Sequence, residues 1–291
     1  MSLDTFIPAI WSNILLVRLH NSLVYGQPNV VNTDYEGDIS GQGSSVKIHG
    51  IGPITVSTYT KNTDLSAPEA LTDTEEVLTI TEARSFNFQV DDIDKVQQIP
   101  KVMEGAMAEA AYALANDADA WLAGQIASQA TISGTLTDST AFGTTGSPVS
   151  ITTSAANAYE ALVDMGTALT ENKCPMDGRY VVVPPWFHGY MQKDSRFILY
   201  TESAHQTLLN GAIGEASGIT ILQSNNVPNS ASADWELIFG HNMAVTMASQ
   251  INSVEGYRPP LRFADAVKGL HLFGAQVTRP SIMGVMYANA A

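Results

Sequence analysis

Residues Ser85–Ile126 read SFNFQVDDIDKVQQIPKVMEGAMAEAAYALANDADAWLAGQI, and the junction near Gln98 inside that stretch decides the fold. Upstream of it, from Ser44 to Val90, apolar side chains alternate in the period-two manner of strands, with turn residues between the runs. Downstream, from Pro100 to Ile126, the chain reads as one unbroken helix. Met103, Met107, Ala110, Ala111, Leu114, Ala118, Trp121, Leu122 and Ile126 recur every three or four positions, so a single stripe faces a core. Asp91 or Asp92 is placed to cap the first turn by accepting backbone N–H bonds. Pro100 is tolerated only near a helix start or at a kink, and the alanines lower the entropic cost and let a neighbouring element approach closely. A two-stranded ribbon as long as the upstream segment cannot bury its own apolar side chains and is marginal alone in water. Its partner surface has to come from elsewhere, so the function expected is assembly rather than chemistry.

Toward the N-terminus, Val46-Lys47-Ile48 and Ile54-Thr55-Val56-Ser57-Thr58-Tyr59 alternate about Gly50, Gly52 and Pro53, which predicts a bent hairpin. Thr60 to Thr74 has the Asn, Asp, Ser, Thr and Pro content of a loop tip. Val77-Leu78-Thr79-Ile80 and Phe86-Asn87-Phe88-Gln89-Val90 then resume the alternation, and the strands are expected to pair back across that tip. Before the ribbon, Ile7, Ile10, Trp11, Ile14, Leu15 and Leu19 predict a short amphipathic helix. A Gly26-Gln27-Pro28-Asn29 turn follows, and the aperiodic stretch Asn32 to Gly43 reads as an arm laid on another surface.

Toward the C-terminus, Thr131 to Thr153 is a Thr-, Ser- and Gly-rich connection of strand and loop. A second helix is predicted from about Ser154 to Thr170, stopped before Pro175. Tyr180 to Val183 is a buried strand, Pro185 starts a short helix through Met191, and Gly218 to Leu222 is another strand. Leu237-Ile238-Phe239 and Met243 to Met247 continue an α/β or α+β pattern. Gly269 to Thr278 and Ile282 to Tyr287 are two strands broken at Arg279-Pro280.

With 291 residues the chain can bury a sizeable core. Charged residues are 15% of it, against roughly 25% for an average soluble protein, and no run reaches the roughly 18 apolar residues that span a bilayer. A sparsely charged surface without a membrane segment suggests contact with other protein. The 29 acidic and 14 basic residues give a net charge of -15, which opposes non-specific binding to a phosphate backbone. Cys174 is the one cysteine, so no intrachain disulfide forms. Met1-Ser2-Leu3-Asp4 lacks a basic n-region and the apolar run Ile14 to Val17 is too short for a signal peptide. The expectation is a protein that stays in the cytoplasm where it is made.

Catalytic and ligand motifs fare poorly. Gly41-Gln42-Gly43 lacks the third glycine of a dinucleotide fingerprint, and no G-x-x-x-x-G-K-[ST] loop occurs. His20, His49, His188, His205, His241 and His271 never stand two to four residues apart, as helix-borne zinc ligands do. Asp91, Asp92 and Asp94 lack the spacing and glycine of a calcium loop. In Gly214-Glu215-Ala216-Ser217-Gly218 the serine is one place too late for a nucleophile elbow, and Cys174 has no histidine near it in sequence. No catalytic residue, metal or cofactor is expected. Lys47, Lys61, Arg84 and Lys95 lie in or beside an otherwise acidic ribbon, and pairing with acidic residues of a neighbouring copy would set register there.

Three stretches carry a family resemblance: Asp34-Tyr35-Glu36-Gly37-Asp38-Ile39 leading to Gly43-Ser44-Ser45-Val46-Lys47-Ile48; Gly211-Ala212-Ile213-Gly214 leading to Gly218-Ile219-Thr220-Ile221; and Phe263-Ala264-Asp265-Ala266-Val267-Lys268-Gly269 before Phe273-Gly274-Ala275-Gln276-Val277. In that order they resemble the major capsid (coat) proteins of tailed bacteriophages over nearly the whole chain. The resemblance implies an α+β fold with a peripheral domain built on a long spine helix, an axial α/β domain, an extended β-hairpin loop and an N-terminal arm. On this chain it places the arm at 1–40, the extended loop at 41–91, the peripheral domain at 92–153, the axial domain at 154–254 and the returning strands at 255–291. It further implies homo-oligomeric pentamers and hexamers closing an icosahedral shell around double-stranded DNA, in a virion capsid assembled in the host cytoplasm. Portal and head-decoration proteins are implied partners. A separate scaffolding protein is also expected, because the chain begins almost directly at the arm. Trp11, Tyr59, Lys61 and Arg84 are the expected contacts between subunits. The same fold also serves encapsulin-like compartments that load enzymes instead of DNA; a secreted α/β hydrolase or adhesin is the alternative from another class.

Overall fold

The alternating and helical patterns resolve into eleven strands and three α-helices in a computed structural model that describes residues 24–34, 45–51, 54–56, 58–62, 64, 69–70, 73–91, 102–132, 142–152, 157–193, 214–229 and 234–290. Helix α1 spans Val102–Gln129, about 42 Å at roughly 1.5 Å per residue. Met107, Ala111, Leu114, Ala118, Leu122 and Ile126 are buried along one face, while Glu109, Tyr112, Asn116 and Asp117 face solvent. The expected stripe is therefore present, and the helix runs on to Gln129 rather than ending at Ile126. Pro100 and Asp92 lie outside the described residues. Asp91 is the last residue of a strand, paired with Ala264.

A six-stranded mixed sheet holds the larger part of the core. Its order is β4 (Val149–Ile151), β11 (Met283–Ala290), β8 (Trp235–His241), β5 (Arg179–Val183), β7 (Ile219–Gln223) and β6 (Glu215–Ala216). All five residues of β5 are buried, as a central strand covered on both faces requires. Helices α2 (Asn157–Glu171) and α3 (Pro185–Lys193) join this core through Leu162, Met165, Leu169, Phe187 and Met191.

The second sheet has three strands, in the order β3 (Glu82–Asp91), β10 (Ala264–Val277) and β9 (Val245–Tyr257). The N-terminal half of α1 packs on it through Met107 and Ala111 against Val254 and Val267, with Phe86 and Phe88 beside them. The C-terminal half belongs to the larger core, so α1 bridges the two sheets. The break predicted at Arg279-Pro280 is a 3-10 turn, Pro280–Ile282, between β10 and β11.

The third element is a ribbon of β1 (Ser45–Ile51) and β2 (Asp73–Thr79), antiparallel, with Val46 opposite Leu78. The pairing across the tip is as expected, but the bent hairpin is not. Residues 54–56 and 58–60 form no strand, because β2 rather than Ile54–Tyr59 is hydrogen-bonded to β1. Their alternation of apolar and hydroxyl side chains mimics a strand that has no partner edge. Nor does β3 belong to the ribbon; it pairs with β10 through ten residues, Glu82 opposite Phe273 to Asp91 opposite Ala264.

Candidate assembly surface

The ribbon is fixed at one end and bare at the other. At its root, Leu78 and Ile80 are fully buried against Ala248 and Leu272, with Val46, Ile48, Ala83 and Leu270 around them. Burying two such side chains favours the root by roughly 1.5–3 kcal/mol each. The approach is close enough to require glycine at 274: a Cβ there would lie 2.9 Å from Ile80 Cα and inside contact distance of the Thr79 carbonyl oxygen. Across the strands, Lys47 Nζ meets Glu75 at 2.6 Å.

Beyond the root the apolar side chains lose their cover. Ile54 is exposed, Val56 is 93% exposed and Tyr59 68%. This outer segment is nonetheless shaped, because Thr55 donates its backbone N–H and its hydroxyl to the Glu69 carboxylate at 3.0 and 3.2 Å. Apolar groups held outward on a shaped segment form a surface that gains by being covered.

Of the expected contact residues, Tyr59 and Lys61 lie close together on this outer segment, both exposed. Trp11 and Lys95 lie outside the described residues. Arg84 is engaged within the chain: Nε donates to Asp117 Oδ2 at 2.6 Å and Nη1 meets Glu82 at 3.0 Å, tying β3 to α1. Two exposed apolar residues were not among the expected contacts. Leu261 and Phe263, at the apex of the β9–β10 hairpin, are 94% and 84% exposed. Their signal was two large apolar residues in a turn opened by Pro259-Pro260.

Elsewhere the structure gives the reactive-looking residues structural roles. Helix α2 ends with Lys173 in the left-handed region (φ 59) and with Lys173 and Cys174 N–H groups bonded to the Thr170 and Leu169 carbonyls. Cys174 is the apolar residue that seals this helix end, and burial raises its thiol pKa although Arg179 opposes the shift. Ser217 and Gly218 (φ 55 and 71) are the two-residue turn of the β6–β7 hairpin, a turn that demands positive φ at both places. Among the described residues no three His, Cys, Asp or Glu side chains converge as metal ligands.

The model of the phage capsid protein family matches residues 54–282. No curated protein matches the chain. Among solved structures, a chain from Mycobacterium phage Che8 is 28% identical, with 90% of each chain covered and a TM-score of 0.72. The capsid of cyanophage P-SCSP1u is similar at 20% identity, covering 92% of this chain and 89% of the other at a TM-score of 0.70. The mature capsid of bacteriophage PhiM1 follows at 16% identity, 88% and 87% coverage and a TM-score of 0.65. The fold thus has its counterpart in phage capsids, and the chain belongs to the phage capsid protein family, a structural family whose members form the virion shell rather than catalyse a reaction.

Proposed function

We propose that this subunit assembles with copies of itself into hexamers and pentamers, and that these close an icosahedral head around double-stranded DNA. The observation that carries the reading is the contrast along the ribbon: Leu78 and Ile80 sealed at the root, Val56 and Tyr59 bare beyond it. A neighbouring copy supplies the missing cover, with Tyr59 and Lys61, and with them Trp11 and Arg84, as the contact positions. Each contact is modest, but in a closed ring they act together through high effective concentration. The extended loop is then 41–91, flanked by the arm at 1–40 and the peripheral domain at 92–153, with the axial domain at 154–254 and the returning strands at 255–291.

The net charge of -15 suits a shell that encloses DNA without binding it tightly, which favours later release. Scaffolding, portal and head-decoration proteins complete the proposed partners, and the host cytoplasm is the proposed place of assembly. The test is electron microscopy of the purified protein with and without a candidate scaffolding protein, alongside Val56→Asp and Tyr59→Asp. The wild type is expected to form closed shells, and both variants are expected to keep the subunit's denaturation midpoint while failing to close. A monodisperse monomer under every condition would overturn the reading, and shells filled with an enzyme cargo would replace it with a protein compartment.

A further inference from the structure

The chain passes between the two sheets three times, once along α1 and twice through short 3-10 turns, and the two short passages lie against each other. The first leaves β8 at His241, turns through the 3-10 segment Asn242–Ala244 and enters β9 at Val245. The second leaves β10 at Val277, turns through Pro280–Ile282 and enters β11 at Met283. The Ala244 carbonyl joins them, accepting the backbone N–H groups of Thr278 at 2.8 Å and Arg279 at 3.2 Å and the Thr278 hydroxyl at 3.2 Å. Asn32 is bonded into the same corner, donating to the Val245 carbonyl at 2.8 Å and accepting from Met247 N–H at 3.0 Å.

What positions the Ala244 carbonyl is the 3-10 turn, and what caps that turn is a ring nitrogen. His241 Nδ1 accepts the Met243 backbone N–H at 3.1 Å, so the neutral ring carries its proton on Nε2. The ring is buried beside Gly178, whose Cβ, if it had one, would sit 3.3 Å from Nε2. Three charged groups face it: Arg179 from β5, Arg279 from the second passage and Asp177 from the turn before β5.

We infer that His241 is a proton-sensitive pin: neutral, it locks the paired passages at the corner of the two sheets; protonated, it releases them. A proton on Nδ1 turns the acceptor of the Met243 N–H into a donor aimed at a donor, and the cap is lost. The added charge lies near two guanidiniums in a buried place. Burial is the largest influence holding the His241 pKa below its ordinary value; Arg179 and Arg279 add to it, while the Asp177 backbone and carboxylate oppose it. The sign follows. A depressed histidine pKa means the lock is complete above about pH 6.5 and is lost as the pH falls through the lowered value. Once the cap is gone, the Ala244 carbonyl no longer holds Thr278 and Arg279, and the three-stranded sheet is free to turn against the six-stranded one. The device concerns the single subunit and stands independently of the shell reading.

The test is hydrogen exchange of the full-length subunit between pH 7.5 and 5.0, corrected for the intrinsic pH dependence, on peptides covering 241–247, 277–283 and the β5 strand as reference. In the wild type both passages are expected to lose severalfold more protection than β5 does as the pH falls. In His241→Asn, whose side-chain oxygen caps the turn at every pH, protection is expected to stay within about twofold. His188→Gln is expected to behave as the wild type. Arg279→Gln, which leaves the His241 cap in place, is expected to move the release to higher pH. Undiminished wild-type protection at pH 5.0, equal loss in β5, equal loss in His241→Asn, or an unmoved midpoint in Arg279→Gln would each overturn the pin.

Discussion

The Asp119 carboxylate in α1 receives the backbone N–H of Tyr25 at 2.8 Å, fastening the segment that precedes the ribbon to the helix that bridges the two sheets. The same oxygen takes the Val24 N–H at 2.8 Å, and the other takes the Asn226 amide at 3.0 Å, just past the end of β7. Asp119 is buried, and Tyr25, Val30 and Val31 are buried beyond the join. One charged side chain thus sets where the N-terminal segment enters the body.

Asp119→Ala takes the acceptor from the backbone N–H groups of Val24 and Tyr25 and one of the two acceptors of the Asn226 amide, which keeps Asn116. With a penalty of about 1–3 kcal/mol for each stranded backbone group, the variant is expected to lose about 2 kcal/mol or more, read as a fall in the urea midpoint of the isolated subunit. Asp119→Asn keeps an acceptor for Val24 and Tyr25 but turns an amide toward Asn226, so its loss should be smaller.

Among the described residues, Arg179 closes the end of α2 through neutral acceptors. Its guanidinium donates to the carbonyls of Pro175 (2.7 Å), Gly166 (3.2 Å) and Cys174 (2.7 Å) and to the Thr170 hydroxyl (3.0 Å). The carbonyls at a helix C-terminus carry partial negative charge, which is why a buried cation is stable there. Arg179→Met strands several acceptors at once and is expected to cost about 3 kcal/mol or more. By contrast Lys173→Gly, which relieves a left-handed residue (φ 59) at the same helix end, is expected to stabilise by roughly 1 kcal/mol. Chemical denaturation of both variants checks the pair of signs.

Burial holds the His188 pKa below its ordinary value, with a hydrogen bond to Gln223 opposing it, and its Nε2 lies 3.2 Å from the Gln192 amide. A depressed histidine pKa leaves the folded state with fewer bound protons than the unfolded chain, so stability is complete above about pH 6.5 and falls as the pH drops through the lowered value. His188→Gln is expected to show a smaller loss of Tm between pH 7.5 and 5.0 than the wild type. An equal loss would assign the acid sensitivity to other groups.

The fold was legible in the sequence wherever the signal is local. The α1 stripe from Met107 to Ile126 follows from 3.6-residue spacing alone, the buried run Tyr180 to Val183 from its continuous apolar character, and the break before β11 from Arg279-Pro280. Pairing was not local. Nothing near Phe86 announces that its partner is Gly269, and nothing near Ile54 announces that β1 will take Asp73–Thr79 instead. The proposed assembly surface was half legible: a missing partner for the ribbon could be argued from its length, whereas Leu261 and Phe263 became visible only when the β9–β10 hairpin placed them at its apex. Arg84 also has a partner the sequence did not announce: Asp117, 33 residues away in its own chain.

The root of the ribbon offers the last test, because it separates the subunit's stability from the arm's placement. A methyl at Gly274 would press on the Thr79 carbonyl oxygen and on Ile80 Cα, both backbone atoms that cannot swing aside. Gly274→Ala is therefore expected to cost about 1–3 kcal/mol by overpacking, to displace the β2 strand from β10 and to increase proteolytic cleavage within residues 45–79. Gly124→Ala, on an exposed face of α1 where a Cβ meets nothing within 4 Å, is expected to stabilise by about 0.5–1 kcal/mol. Limited proteolysis alongside urea denaturation distinguishes the two. If Gly274→Ala leaves the ribbon as resistant as the wild type, the close approach at Thr79 is not what anchors the arm.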